Sequence, residues 1–223
     1  LAQKFSHSQR ATLFELSEET TLDAARRLML QEGEENVALL NFASAKNAGG
    51  GFLGGSQAQE ESIARASGLY PCLLRAPQYY EANRAERSLL YTDHVIYSPR
   101  VPVFKDEEGA PMPQPIFPSI ITAPAANKGA MRQHGQDLAP IEAVMLRRFE
   151  LVLRIALMQG QEVIILGAWG CGVFQNDPQD VARYFAQVFA DKLPNQFRRV
   201  IFAVYSSQKE NANLRAFAEY FSR

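Results

Sequence analysis

Apolar positions along the chain alternate between short continuous runs and longer stretches in which they recur every three or four residues. The first kind suits buried strands and the second suits helices laid on a sheet. Residues 11–16 admit a short strand, and Thr20 caps a predicted helix running to about Leu30, with Leu22, Ala25, Leu28 and Met29 at core spacing. Gly33 closes that helix, and the run 37–43 follows as a buried strand. Residues 60–67 open and form a helix that Gly68 breaks, and 70–89 is mostly helical with an interruption at Pro77. Residues 94–98 read as a strand. Pro111, Pro113, Pro115 and Pro118 predict an irregular stretch, after which 116–122 returns to a strand stopped by Pro124. A polar, glycine-punctuated loop is expected over 126–136 and a long helix over 137–159.

The run 162–167 is the clearest strand, continuous in its apolar character as in a sheet covered on both faces. The helix after it starts with Asp177 as N-cap, Pro178 at the first helical position and Asp180 in the first turn. Residues 200–204 form a last strand and 211–221 a closing helix. This alternation predicts an α/β layered domain with helices on both faces. Residues 1–223 are expected to form one domain, with 1–10 as a flexible or helical extension, and residues 1–20 are too polar for a signal peptide.

Composition changes that picture little and excludes some classes. At 47% hydrophobic and 21% charged residues the chain is of ordinary globular type, and a net charge of −1 argues against holding long nucleic acid by bulk phosphate neutralisation. With no 18-residue apolar span, no membrane is expected as partner. Cys72 and Cys171 have neither disulfide nor zinc spacing, and His7, His94 and His134 are scattered, so a reducing intracellular setting and no metal are expected.

The chemistry concentrates in two glycine loops, each following a buried strand. In the first, Gly49, Gly50, Gly51, Gly54 and Gly55 lie within seven residues, and Gln59, Glu60 and Glu61 follow at a helix start. Glycines let a ligand approach the backbone, and free N–H groups there suit phosphate, whereas two carboxylates repel it. Loop and glutamates therefore serve different parts of one ligand. Gly49, Gly51 and Gly54 fit the dinucleotide pattern G-x-G-x-x-G, yet the acidic strand end expected about 20 residues on falls in the helical region of Leu73, Leu74 and Arg75. A Walker loop is excluded, since no Gly-Lys-Ser/Thr follows. The second loop, Gly167 to Gly172, reads either as a ligand-binding loop or as a tight strand-to-helix turn. Adjacent Glu60 and Glu61 point about 100° apart on a helix and cannot flank one bond from opposite sides, so one of them carries the proton transfer. Both could instead complement only the helix dipole.

Gly49-Gly50-Gly51, a seven-residue spacer and Gln59-Glu60-Glu61 together resemble the GGG-spacer-QEE pattern of poly(ADP-ribose) glycohydrolases, in particular the compact microbial form built on a macrodomain. The resemblance extends through residues 40–47, 122–127 and 167–174. It implies a macrodomain-like three-layer sandwich with a mixed sheet, and a single catalytic domain that reverses ADP-ribosylation, as in the response to DNA damage. It implies no metal or organic cofactor, with poly(ADP-ribose) or ADP-ribosylated protein as substrate and ADP-ribose as product. Sequence-specific nucleic acid is not an expected partner, and the compartment is cytoplasmic, or nuclear in a eukaryote.

Site residues carry over by the same resemblance. Glu61 would be the general acid/base, requiring a raised pKa that cover by Phe52 and Leu53 on ligand binding could supply. Glu60 would hold a hydroxyl of the neighbouring unit and Gln59 would support the turn. Gly49, Gly50 and Gly51 would pass close to the distal ribose, and Asn47 would bond its hydroxyls. Gly170, Cys171, Gly172 and Val173 would wrap the diphosphate, and Phe174 would shelter the ribose. Cys171 is expected to be a small turn residue, not a nucleophile. Glu18 and Glu19 are candidates for the adenine amino group but read better as plain solvent-exposed turn residues, and 105–108 reads as a solvated hairpin tip. The alternatives are an ADP-ribose-binding macrodomain without hydrolysis, or a hydrolase of single ADP-ribose groups.

Overall fold

The computed structural model describes residues 11–207 and 210–222; the expected N-terminal extension lies outside them. Eight strands and eight α-helices follow one another among the described residues. Six strands make one mixed sheet in the order β1 (Leu13–Ser17), β8 (Arg199–Ala203), β7 (Val163–Leu166), β2 (Val37–Phe42), β6 (Ser119–Ala123) and β3 (Ile96–Ser98). Every neighbouring pair runs parallel except β6 with β3.

The strands divide their side chains between two cores, as a period of two requires. From β2, Val37 and Leu39 enter one core, and Ala38 and Leu40 the other; from β7, Val163 and Ile165 oppose Ile164 and Leu166. One face is covered by α1 (Thr21–Arg26), α2 (Gln59–Ala66), α3 (Leu69–Leu74) and α4 (Pro77–Ala85). The other face carries α5 (Lys128–Gln133), α6 (Ile141–Met158), α7 (Pro178–Asp191) and α8 (Ala212–Phe221). On that second face Phe149 and Phe185 meet with ring centroids 3.9 Å apart, and Phe202 lies 5.4 Å from Phe185.

Local chemistry sets the element ends. Thr20 caps α1, its Oγ1 accepting from Asp23 N, and Asp177 caps α7 by accepting from Gln179 N at 2.9 Å. The helix predicted to reach Leu30 does continue, but as a π-helical turn over Arg27–Gln31. Pro77 begins α4, so the predicted 70–89 helix divides there. The expected polar loop at 126–136 instead contains α5, N-capped by Asn127 Oδ1 on Ala130 N at 3.0 Å. The proline stretch is ordered too: β4 (Val103–Lys105) pairs with β5 (Pro111–Ile116) as a separate hairpin. Proline cannot donate to a ladder, and a two-stranded edge tolerates that loss.

Candidate active site

Both glycine loops leave the sheet at the carboxyl ends of parallel neighbours, β2 and β7, where an open α/β sheet presents ligand sites. Gln59 locks the first loop to its strand. Its Oε1 accepts from Phe42 N at 2.8 Å, and its Nε2 donates to Leu40 O at 2.8 Å and to Thr21 Oγ1 at 3.1 Å. A side chain thus extends the pairing of β2 and fixes where α2 begins.

Glu60 and Glu61, in the first turn of α2, diverge as their adjacency requires. Glu60 is 3% exposed; its Oε1 accepts from Asn41 Nδ2 at 3.2 Å and its Oε2 from Ser44 N at 2.6 Å. Burial pushes its pKa up to about 7, against the lowering effect of those bonds and with a further rise from the charge of Glu61. Half-exposed Glu61 reaches across the loop, its Oε1 accepting from Gly51 N at 2.9 Å. The Glu60 pKa is raised because this carboxyl is driven out of water. Of the two residues expected to cover Glu61 on ligand binding, Leu53 is 77% exposed and Phe52 packs edge-on to Tyr70 at 4.8 Å.

That shift couples stability to pH. The unfolded carboxyl titrates near 4.5 and the folded one near 7, so between those values the folded state holds the extra proton. Unfolding free energy from this group then falls as pH rises through that window, by an amount on the order of 3 kcal/mol, and levels off above it. Glu60→Gln should flatten that slope in urea titrations at pH 5 and pH 8. The glutamine fits because the buried Asn41 Oδ1 has no partner and can accept from the new amide once Asn41 turns over. An unchanged slope would refute the assignment.

In the second loop Gly170 has φ +77°, and an added Cβ would lie 2.6 Å from Ala125 Cβ. Asn176 clamps the turn, donating from Nδ2 to Ala126 O at 2.8 Å and to Gly170 O at 3.2 Å. The amides of Gly172, Val173 and Phe174 find no acceptor among the described residues. Val173 is 82% exposed. Burial pushes the Cys171 thiol up to about 12, which favours its neutral form.

A cleft of about 280 Å³ lies between the start of α2 and the second loop, lined by Ser44, Gln59, Glu60 and Glu61 on one side and by Gly170, Gly172, Val173 and Phe174 on the other. Ala58, Gln59, Phe42 and Ala168 also border a second cleft of about 1300 Å³, which extends towards Thr20, Asp23, Tyr70 and Tyr205. Together they offer room for an elongated ligand of nucleotide size. Gly49, Gly50 and Gly51 back the glutamates, whereas Asn47 is exposed, and Cys171 lies half-buried beside the second loop's cleft lining.

Several predicted minor features find different settings. Glu19 is bound by Arg27 at 2.7 Å and 2.8 Å, which holds its carboxyl below the usual range, while Glu18 is exposed. The hairpin tip is not wholly solvated, because Glu107 is half-buried, with burial raising its pKa. His94 and His134 are exposed. Among the described residues no three His, Cys, Asp or Glu side chains gather as a metal site, and no helix is long and apolar enough to cross a membrane.

Sequence reasoning missed Asn41, Ser44 and Asn176, which hold the site from beneath. Asn41 did carry a signal, being one polar residue in an apolar strand and fully buried. Asn176 carried none, since its partners lie in another loop.

A three-layer α/β sandwich in which a carboxylate-bearing helix start and a glycine loop meet across one cleft defines a macrodomain-like protein. Comparison narrows the class. A model of the microbial-type PARG catalytic domain matches residues 1–106. The poly(ADP-ribose) glycohydrolase of Deinococcus radiodurans in complex with ADP-ribose is 47% identical, covering 94% of this chain and 84% of that one, with a TM-score of 0.89. That of Thermomonospora curvata is 44% identical over 97% of this chain and 79% of its own, with a TM-score of 0.91. The same enzyme bound to the inhibitor ADP-HPD is 44% identical over 93% of this chain and 78% of its own, at 0.86. No match occurs among curated proteins. The chain belongs to the poly(ADP-ribose) glycohydrolase family.

Proposed function

We propose that this chain hydrolyses the ribose–ribose O-glycosidic bonds of poly(ADP-ribose) and releases ADP-ribose, with Glu61 as general acid and then general base. The observation that carries this reading is the position of Glu61 in a cleft whose other wall is the second glycine loop, while the first loop holds Glu61 Oε1 through Gly51 N. Protonated Glu61 gives its proton to the bridging oxygen as the bond from that oxygen to the anomeric carbon of the distal ribose breaks. The carboxylate so formed takes a proton from water as the water oxygen bonds the oxocarbenium-like carbon, which returns Glu61 to its starting state.

Around that step, Gly170, Cys171, Gly172 and Val173 wrap the diphosphate, favoured by the free amides of Gly172 and Val173. Phe174 covers the distal ribose, Gly49 to Gly51 lie beneath it, and Asn47 contacts its hydroxyls. Glu60 holds the loop through Ser44 N and, in this reading, orients the leaving unit by one of its hydroxyls. Gln59 acts by fixing the register of α2. Residues 1–223 work as one macrodomain-like catalytic unit on polymer or on ADP-ribosylated protein, with neither a membrane nor a specific nucleic-acid sequence as partner. An intracellular setting accords with the free thiols of Cys72 and Cys171.

Labelled polymer incubated with the protein should yield ADP-ribose, with turnover on polymer exceeding that on singly modified protein. Binding of ADP-ribose without product would favour the non-hydrolytic macrodomain, and preference for the single modification would favour the mono-ADP-ribosyl hydrolase.

A further inference from the structure

We infer that Arg148 is a positioning residue for the Phe174 wall of the cleft, acting through Tyr91. The inference rests on the proposed reading in which Phe174 covers the distal ribose.

Arg148 projects from α6 and is 0% exposed, although its guanidinium is charged. Desolvating such a group is costly unless its donors are all engaged. They are spent on one short stretch of chain and on the exit of β6. Nη2 donates to Leu90 O at 3.0 Å and to Tyr91 O at 3.4 Å, Nε donates to Asp93 Oδ1 at 3.1 Å, and Nη1 donates to Pro124 O at 2.8 Å. Arg147 Nε holds the other Asp93 oxygen at 2.5 Å. Ala125, next to Pro124, lines the cleft.

Tyr91 is thereby held at φ +59°, a conformation that an L-residue rarely adopts unaided. The consequence of that twist is where its ring goes. Its centroid lies 6.1 Å from that of Phe174, and Asn127 Nδ2 donates to its hydroxyl at 3.4 Å. The amide of Asn127 donates to Leu89 O and that of Gly129 to Phe174 O, each at 2.9 Å. Segment 89–91, the start of α5 and Phe174 thus form one closed frame, and Arg148 is the charged group that bonds the carbonyls of Leu90 and Tyr91 within it. Phe174 faces the cleft opposite Glu61, so a frame that fixes its ring fixes the width available to the sugar.

A merely structural Arg148 would lower stability and leave affinity alone. The separating experiment measures the ADP-ribose dissociation constant by calorimetry, and KM and kcat on polymer, for Tyr91→Ala, Tyr91→Phe, Arg148→Lys, Phe174→Ala and the double variant Tyr91→Ala/Phe174→Ala. Tyr91→Ala should weaken ADP-ribose binding about fivefold, the size of coupling expected between contacting residues, and raise KM more than it lowers kcat. Tyr91→Phe, which keeps the ring, should restore affinity. Arg148→Lys, with three donors on one nitrogen, cannot span the three carbonyls and the carboxylate that the guanidinium reaches, and should shift affinity in the same direction as Tyr91→Ala. Because Tyr91 acts through Phe174, Tyr91→Ala should add little on the Phe174→Ala background.

Additive effects of the two alanines, or wild-type affinity in Tyr91→Ala beside weakened binding in Phe174→Ala, would overturn this inference alone. Wild-type affinity in Phe174→Ala would overturn the role of Phe174 and the inference with it. Wild-type affinity in a folded Arg148→Lys would overturn the role of Arg148. If that variant fails to fold, Asp93→Asn, which neutralises the carboxylate held by Arg148 Nε, takes its place and should weaken ADP-ribose binding in the same direction, wild-type affinity again overturning the role.

Discussion

Glu61→Gln is expected to lower turnover of poly(ADP-ribose) by about 10³-fold, within the range general acid/base catalysis supplies. The amide can still accept from Gly51 N, as Oε1 of Glu61 does at 2.9 Å, so the loop keeps its shape. What is lost is the exchangeable acidic proton. ADP-ribose affinity should stay close to that of the wild type, because the amides facing the diphosphate lie in the other loop. Full turnover with a normal dissociation constant would remove Glu61 from the mechanism and leave Glu60, the other carboxyl lining the cleft, as the candidate.

Gly50→Ala should cost about 10²-fold in kcat, the scale of a catalytic group displaced by roughly an ångström. Gly50 has φ +60°, and an added Cβ would overlap Glu61 Oε1, lie 2.9 Å from its carboxyl carbon and stand 3.1 Å from Glu60 Oε2. Both carboxylates must move, or the loop must. The left-handed backbone adds a strain of about 1–2 kcal/mol that a thermal melt would register. Gly54→Ala is the control, since its added Cβ would meet nothing within 4 Å and its φ is not left-handed. A loss in Gly50→Ala without one in Gly54→Ala places the effect at the carboxylates; equal losses would assign it to loop stiffness instead.

Much of the layered architecture is legible because strands buried on both faces are continuous apolar runs, as at Val163–Leu166, and because Thr20 and Asp177 announce their helices through local capping. The proline-rich stretch reads as irregular because its strand character comes from pairing with Val103–Lys105, which proline content alone does not reveal. Similarly, α5 is short and polar, and depends on its Asn127 cap more than on an apolar stripe.

For the site, the spacing from Gly49 to Glu61 is sufficient to single out the carboxylates, and the second glycine loop can be placed at a strand end. Their meeting in one cleft cannot be read, because β2 and β7 are far apart in sequence and become neighbours only through the sheet order. Nor can the division of labour between Glu60 and Glu61. By itself the sequence determined which residue types stand at each turn, since turn chemistry and periodicity are local. Only the tertiary structure decided which carboxyl was stripped of water, because desolvation depends on what packs around a group, and Asn41 and Ser44 reach Glu60 while Glu61 is left at the cleft.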